Sequence, residues 1–445
     1  MQLRASRIVV VVALAVAVFV AGGVGLFRHV DGADRTAAAA QTPPADTLLQ
    51  PVLSGSLDQV VASLQQRLRV LPGDWRSFAS LGLAYVQQAR LTADPSYYPK
   101  AEGVLARSLA IDTKDNFEAM VGMASLAAAR HDFAGALRWG ERAKSINPAN
   151  GNVYGVIGDA QVELGRYQEA FATFQKMVDT LPGLSSYARV SYARELQGNV
   201  SGALVSMQAA FEVAGTPADQ AWASNQLGDL EFNRGDVAAA EADYVRATGL
   251  DPAFVPARAG LAKVAWAKGD LTGAIQRLSA VVATYPLPDY VIMLGDLEAA
   301  AGDRAGSAQQ RALVGAEATL FAANGVNVDL ELALFDADHG DPRAALRAAR
   351  AEWNRRKSVL VADALAWALH ANGRDDAAWA FERRAMSIGY RNALFLFHAG
   401  QIRLALDDAA GARSYLRRAL AENPQFSVRW APVAARELAR LGGLR

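Results

Sequence analysis

The groups available for chemistry in this 445-residue chain are five histidines, 45 acidic and 45 basic side chains, and no cysteine. Without cysteine, disulfides, thiolate catalysis and cysteine-ligated zinc or iron–sulfur centres are excluded. The histidines are His29, His131, His339, His370 and His398. No two stand at metal-ligand spacing, and the His-x-x-x-His pair that would put two imidazoles on one helix face does not occur. His131 and His339 fall in turns between helical segments and His370 near a helix end, so they read as solvated surface imidazoles. There is no Gly-x-Ser-x-Gly elbow to present a nucleophile. The run Ala21-Gly22-Gly23-Val24-Gly25 lies inside an apolar segment and does not follow a strand, which argues against a phosphate loop. The sequence therefore predicts a protein that is not an enzyme, with no catalytic residue, no metal, no cofactor and no small-molecule substrate. The formal net charge of +0 argues against attraction of the whole molecule to nucleic acid. The local basic run over residues 347–357 reads as the solvated face of a helix.

The elements that carry these groups repeat. Pro148 and Pro182 are 34 residues apart, as are Pro252 and Pro286, Gly235 and Gly269, Leu227 and Leu261, and Ala240 and Ala274. A fixed period of this size marks a solenoid. Over residues 153–182, Tyr154, Ile157, Gln161 and Leu164 fall on one helical stripe. Gly165-Arg166 makes the turn, because glycine tolerates the positive φ of a reversal. Tyr167, Ala170, Phe174 and Met177 line a second helix, which Pro182 stops. Gly158 and Ala170 are small where two antiparallel helices must approach closely. No stretch alternates strongly enough for a strand.

The set Tyr154, Ile157, Gly158, Tyr167, Ala170, Phe174 and Pro182 resembles the tetratricopeptide (TPR) motif. Leu227, Gly228, Gly235, Ala240, Tyr244, Ala247 and Pro252 repeat it, and so do Leu261, Ala262, Gly269, Ala274, Leu278 and Pro286. Gly400, Ala412, Leu416, Ala419 and Pro424 do the same near the C-terminus, and Leu81, Gly82, Tyr85, Tyr98, Ala101 and Leu105 near the start. About ten units fit between residues 74 and 424. Spacing is irregular around Gly215-Thr216-Pro217 and over residues 313–327, where a longer helix or a bend is expected. Residues 56–73 and 425–445 read as lone capping helices. The resemblance implies an all-α fold, an α-solenoid wound as a right-handed superhelix of helix-turn-helix repeats.

It also implies that the first helices line a concave groove for an extended or helical peptide. The candidate groove residues are Asp159, Arg189, Tyr192, Asn225, Asp229, Phe232, Lys263, Trp266 and Asp296. Some members of the family hold a peptide carboxylate with Lys, Asn and Arg; here Asp stands where that clamp often has Asn, and no adjacent pair of units supplies the lysines. The groove reads as acidic and suited to a basic or neutral ligand, unless each Asp merely solvates its helix. Trp222, Trp266, Trp353, Trp367 and Trp379 read as core residues. Residues 359–432 resemble the C-terminal portion of many bacterial TPR proteins, which brings no activity with it.

Ahead of the repeats, Arg4 and Arg7 precede residues 8–27, twenty residues without a charge. As a helix these span roughly 30 Å, the thickness of a hydrocarbon core. They read as a signal-anchor or transmembrane helix within residues 1–30 in preference to a cleaved signal peptide, since no clean small-x-small site follows. The arginines place the body outside the cytoplasm, although Arg28 and His29 weaken the asymmetry. Residues 31–55, rich in Ala and Pro, read as a flexible tether. The resulting expectation is a single-pass, membrane-tethered scaffold or adaptor for a protein or peptide partner. The rival expectations are a non-catalytic subunit of an envelope or cytochrome assembly complex, and a secreted factor released by signal cleavage.

Overall fold

The computed structural model describes residues 57–442, and among them every regular element is a helix. The expected anchor (residues 1–30) and tether (residues 31–55) lie outside the described residues. Among the described residues no helix is long and apolar enough to cross a membrane.

A lone helix, α1 (Leu57–Val70), opens the array. Antiparallel hairpins follow: α2 (Trp75–Thr92) with α3 (Tyr97–Ile111), α4 (Phe117–Ala129) with α5 (Phe133–Ile146), and α6 (Gly151–Glu163) with α7 (Tyr167–Thr180). Next come α8 (Leu184–Leu196) with α9 (Val200–Glu212), α10 (Pro217–Asn233) with α11 (Val237–Leu250), and α12 (Val255–Ala267) with α13 (Leu271–Val282). The series ends with α14 (Pro288–Ala300) and α15 (Arg304–Ala323), α16 (Asp329–His339) and α17 (Pro342–Arg355), α18 (Val359–Ala371) and α19 (Asp375–Ala385), and α20 (Ala393–Ala405) and α21 (Ala409–Glu422). A final helix, α22 (Ala431–Arg440), packs on α21.

Each hairpin is written locally. The recurrent Gly-Asp pair does two jobs in two residues. Gly235, Gly269 and Gly302 take left-handed φ of 83°, 87° and 86° to end the first helix. Asp236, Asp270 and Asp303 then cap the second helix, each carboxylate accepting from a backbone N–H three residues on. Such a cap stabilises a helix by about 1 kcal/mol. Between hairpins the fit depends on missing side chains. The ring of Tyr244 on α11 lies between Gly228 on α10 and Gly260 on α12; a Cβ there would stand only 2.7 and 2.5 Å from a ring carbon. One bulky residue of a second helix thus fills the space left by glycines on its own first helix and on the next. Leu105 does the same between Gly82 and Gly122.

The array also closes on itself. Arg90 O accepts from Tyr285 Oη at 2.6 Å, the His131 ring nitrogen Nδ1 lies 2.7 Å from Asn327 O, Tyr167 Oη accepts from Val359 N–H at 2.7 Å, and Asn423 donates to Phe232 O at 2.9 Å. These partners are 191–196 residues apart. Their constant offset means that the turns inside early hairpins rest on the connections between later ones, one superhelical turn further along. Gly165 and Gly198 make this approach possible, because a Cβ on either would strike the backbone at Lys357 or Gly389. The seam is apolar as well: Val162, Phe174 and Leu196 share a core with Val359, Ala362 and Phe395, and Ala89 and Tyr98 share one with Leu287 and Val326. At its centre the guanidinium of Arg356, 2% exposed, pairs with Glu163 of the earlier turn and Glu352 of its own.

Two glycines separate the roles of space and backbone freedom. Gly228→Ala should destabilise the protein by about 1–3 kcal/mol, because the Tyr244 ring has nowhere to go. Gly249→Ala, on α11 with nothing within 4 Å of a new Cβ, should stabilise it by about 0.5–1 kcal/mol. Urea midpoints of the two variants moving in the same direction would contradict this packing.

Candidate functional site

The first helices of the hairpins, α2 to α20 in even numbers, present the candidate groove residues. Asp159 lies on α6, Arg189 and Tyr192 on α8, Asn225, Asp229 and Phe232 on α10, Lys263 and Trp266 on α12, and Asp296 on α14. Their charges are largely spent on one another. Arg189 grips Asp159 with both arms of its fork, Nε to Oδ1 at 2.9 Å and a terminal nitrogen to Oδ2 at 2.7 Å, and neither side chain is more than 13% exposed. Asp229 accepts from Tyr244 Oη at 2.7 Å, from Asn225 at 2.9 Å and, more loosely, from Lys263 at 3.4 Å. Asp296 lies 3.0 Å from His339 Nε2 on α16. These pairs run from one first helix to the next and act as rungs between repeats. The acidic face expected from sequence is, at Asp159, Asp229 and Asp296, an internally paired one.

Three candidates do not offer themselves to a ligand. Tyr192, Asn225 and Phe232 are buried, Tyr192 within the seam core. Trp266 is half-buried between the cores of two adjacent hairpins, Trp353 likewise lies between two cores, and Trp222 and Trp379 are half-buried against one each. The histidines differ from the solvated imidazoles expected. His131 spans the seam, and burial, together with the nearby Arg356 charge, pushes it down to about 4. His339 and His370 each pair with a carboxylate, and His398 is buried.

The residues that sequence reading missed are unpaired acids. Asp289 on α14 is exposed, yet loss of hydration among the surrounding helices and the neighbouring Glu331 push it up to about 6. Glu331 on α16 is pushed up to about 7 by burial, with Arg356 opposing, and its Oε2 is buried without a hydrogen-bond partner. Glu195 on α8 rises to about 7 through burial and the charge of Asp229. Glu317, on the second helix α15, is fully buried with neither oxygen hydrogen-bonded, and rises to about 8 through burial and Asp289. Periodicity marks helix faces but gives no sign of which carboxylates lack a counter-charge. Elsewhere, Asp363, Glu382 and His398 converge from three helices with donor atoms within 4.8 Å of one another. Spacing rules find such donors only on one helix and pass over these.

The raised acids fix a pH dependence. A carboxyl that holds its proton to a higher pH when folded binds more protons in the native state, so stability falls as pH rises through that interval. The window runs from the ordinary Glu value of 4.5 to about 8 for Glu317. His131, shifted down from 6.5, acts in the opposite sense but only between about 4 and 6.5. The melting temperature should therefore fall from pH 6.5 to pH 8.5. Glu317→Gln removes the ionisation, so it should flatten that fall and leave the variant more stable than the parent at pH 8 by about 1–3 kcal/mol, part of the ionisation penalty that a neutral amide escapes. A variant that melts below the parent at pH 8 would contradict the assignment.

Residues 151–179 and 231–297 each match a family model described as tetratricopeptide repeat. No curated protein matches the chain. Among solved structures, the chain is similar to a thermophilic TPR protein of Thermus thermophilus, TTC0263, at 21% identity over 44% of this chain and 98% of that one, with a TM-score of 0.38. It is also similar to a tetratricopeptide repeat protein from Parabacteroides merdae ATCC 43184, at 13% identity over 73% and 98% of the two chains and a TM-score of 0.31. A third similarity is to the APC/C hetero-tetramer Cut9–Hcn1, at 16% identity over 86% and 81% and a TM-score of 0.40. The two matched segments, α6 with the greater part of α7 and the helices from α11 to α14, are thus tetratricopeptide repeats within an array of all-helical hairpins.

Proposed function

We propose that this protein is a non-catalytic adaptor that binds a segment of a partner protein along its first helices, and that it prefers a segment bearing Lys or Arg. The observation that carries the reading is the set of uncompensated acids on α8, α14 and α16. Asp289, Glu195 and Glu331 hold their protons unusually well because burial strips their hydration, and the Lys263 charge near Asp289 and the Arg356 charge near Glu331 offset that only in part. A cationic side chain brought beside them offsets the hydration that their ionised forms lack, and that electrostatic gain becomes binding free energy. Catalysis would need a nucleophile and a base within hydrogen-bond reach of each other beside a free space, and the rungs described above are instead closed pairs. The uncharged residues 8–27 support a membrane tether, with the repeats outside the cytoplasm. The adaptor would then gather its partner near a membrane surface.

The test is a titration of the full chain, in detergent at pH 7.5, with fluorescent peptides of basic, neutral and acidic composition. Basic peptides should bind tightest and weaken as salt is raised. The isosteric pair Asp289→Asn with Glu331→Gln should weaken them by about tenfold, which is about 1.4 kcal/mol. Equal affinity of parent and variant, or a preference for acidic peptides, would contradict the reading.

A further inference from the structure

We propose that Asp363, Glu382 and His398 form a buried structural site for a divalent transition-metal ion of the zinc class. Asp363 lies on α18, Glu382 on α19 and His398 on α20, so the site joins the two arms of one hairpin to the next repeat. All three are at most 1% exposed, and their donor atoms lie within 4.8 Å of one another. Two carboxyls and one imidazole make a nitrogen–oxygen donor set that suits Zn²⁺, at ligand distances of roughly 2.0–2.2 Å. A dication with two carboxylates and a neutral imidazole is also electrically neutral, which an apolar interior requires.

A second observation points to a missing partner. Neither oxygen of Glu382 makes a hydrogen bond of good geometry, although the side chain is fully buried and its polar neighbour is the carboxyl of Asp363. The other two groups are held in place. Asp363 Oδ1 lies 2.8 Å from His398 Nδ1, and the imidazole stacks on Trp367 with ring centroids 4.1 Å apart. Trp367 is itself fixed by an indole N–H donated to Asp338 at 2.7 Å. The Trp367 stack and its bond to Asp338 hold the imidazole from outside the donor set, which orients a metal more firmly than ligands alone. The site is closed to solvent, so the ion enters during folding or local opening, and the role is structural.

The experiment unfolds the full chain in denaturant with chelator and refolds it in detergent with Zn²⁺ or with chelator alone. After desalting, zinc is counted by mass spectrometry. The expected result is about one zinc per chain, with a higher melting temperature than the chelator-refolded protein. Glu382→Gln and His398→Ala should lose the zinc and its thermal shift. No retained zinc in the parent, or equal zinc in Glu382→Gln, overturns the proposal and leaves a cluster held together by a shared proton. Should the variants fail to refold, Co²⁺ loaded into the parent decides: visible absorption bands of a low-symmetry His–carboxylate centre support the site, and their absence overturns it.

Discussion

The guanidinium of Arg356 ties residues of two superhelical turns together in a dry place. It pairs with Glu163 in the earlier turn and with Glu352 on its own helix, and it lies over the ring of Phe133 at 4.8 Å. Burial raises the energy of every charge in this set. Against that penalty, Arg356, Asn327 and Arg355 hold the Glu352 carboxyl below its usual range. Such a group is a weak source of net stability, but leaving any one member unpaired costs about 3–5 kcal/mol. It therefore acts mainly as a register: the two turns meet with these residues opposed or they meet poorly. The glycine approaches at Gly165 and Gly198 and the apolar strip from Val162 to Phe395 follow the same register.

That closure changes what kind of molecule the repeats make. In an open solenoid each unit touches only its neighbours, so stability is a sum of local terms and ends fray independently. Here residues 191–196 apart in sequence are in contact, and an early hairpin cannot open without exposing the seam face of a late one. The interior is narrowed in the same step. Glu195, Asp289 and Glu331 resist ionisation first because the packed helices strip their hydration, with Asp229 beside Glu195 and Glu331 beside Asp289 adding to it. The binding preference proposed for the first helices is in this sense a product of the seam.

How much of this was written in the sequence depends on the range of the interaction. The hairpins were legible, because Gly235 and Gly269, and Ala240 and Ala274, recur at 34 residues, whereas the glycines against Tyr244 stand 32 apart and those against Leu105 stand 40 apart. The long α15 falls where the spacing is irregular over residues 313–327. The rung from Asp229 to Lys263 also spans one period. The seam was not legible. His131 and Asn423 occupy ordinary repeat positions, the left-handed turn residue before Asp132 and the residue before Pro424, so nothing local marks them, and their partners are set by the superhelical twist, a small rotation per repeat that no single residue encodes. Tyr192 shows the consequence: its place on the first helix suggests a groove residue, yet the second turn covers it. The cluster of Asp363, Glu382 and His398 was hidden for a related reason, since its members come from three helices and share no motif.

The closed superhelix is open to direct measurement because the chain has no cysteine of its own. Cysteines at Ser201 and Ser387, both exposed and on opposite sides of the Gly198–Gly389 approach, can each carry a spin label. Pulsed electron–electron resonance on the full chain then reads the distance between two positions 186 residues apart in sequence. A seam that holds in solution gives one short, narrow distance distribution. A long or broad distribution, as an open and flexing superhelix would produce, contradicts the account.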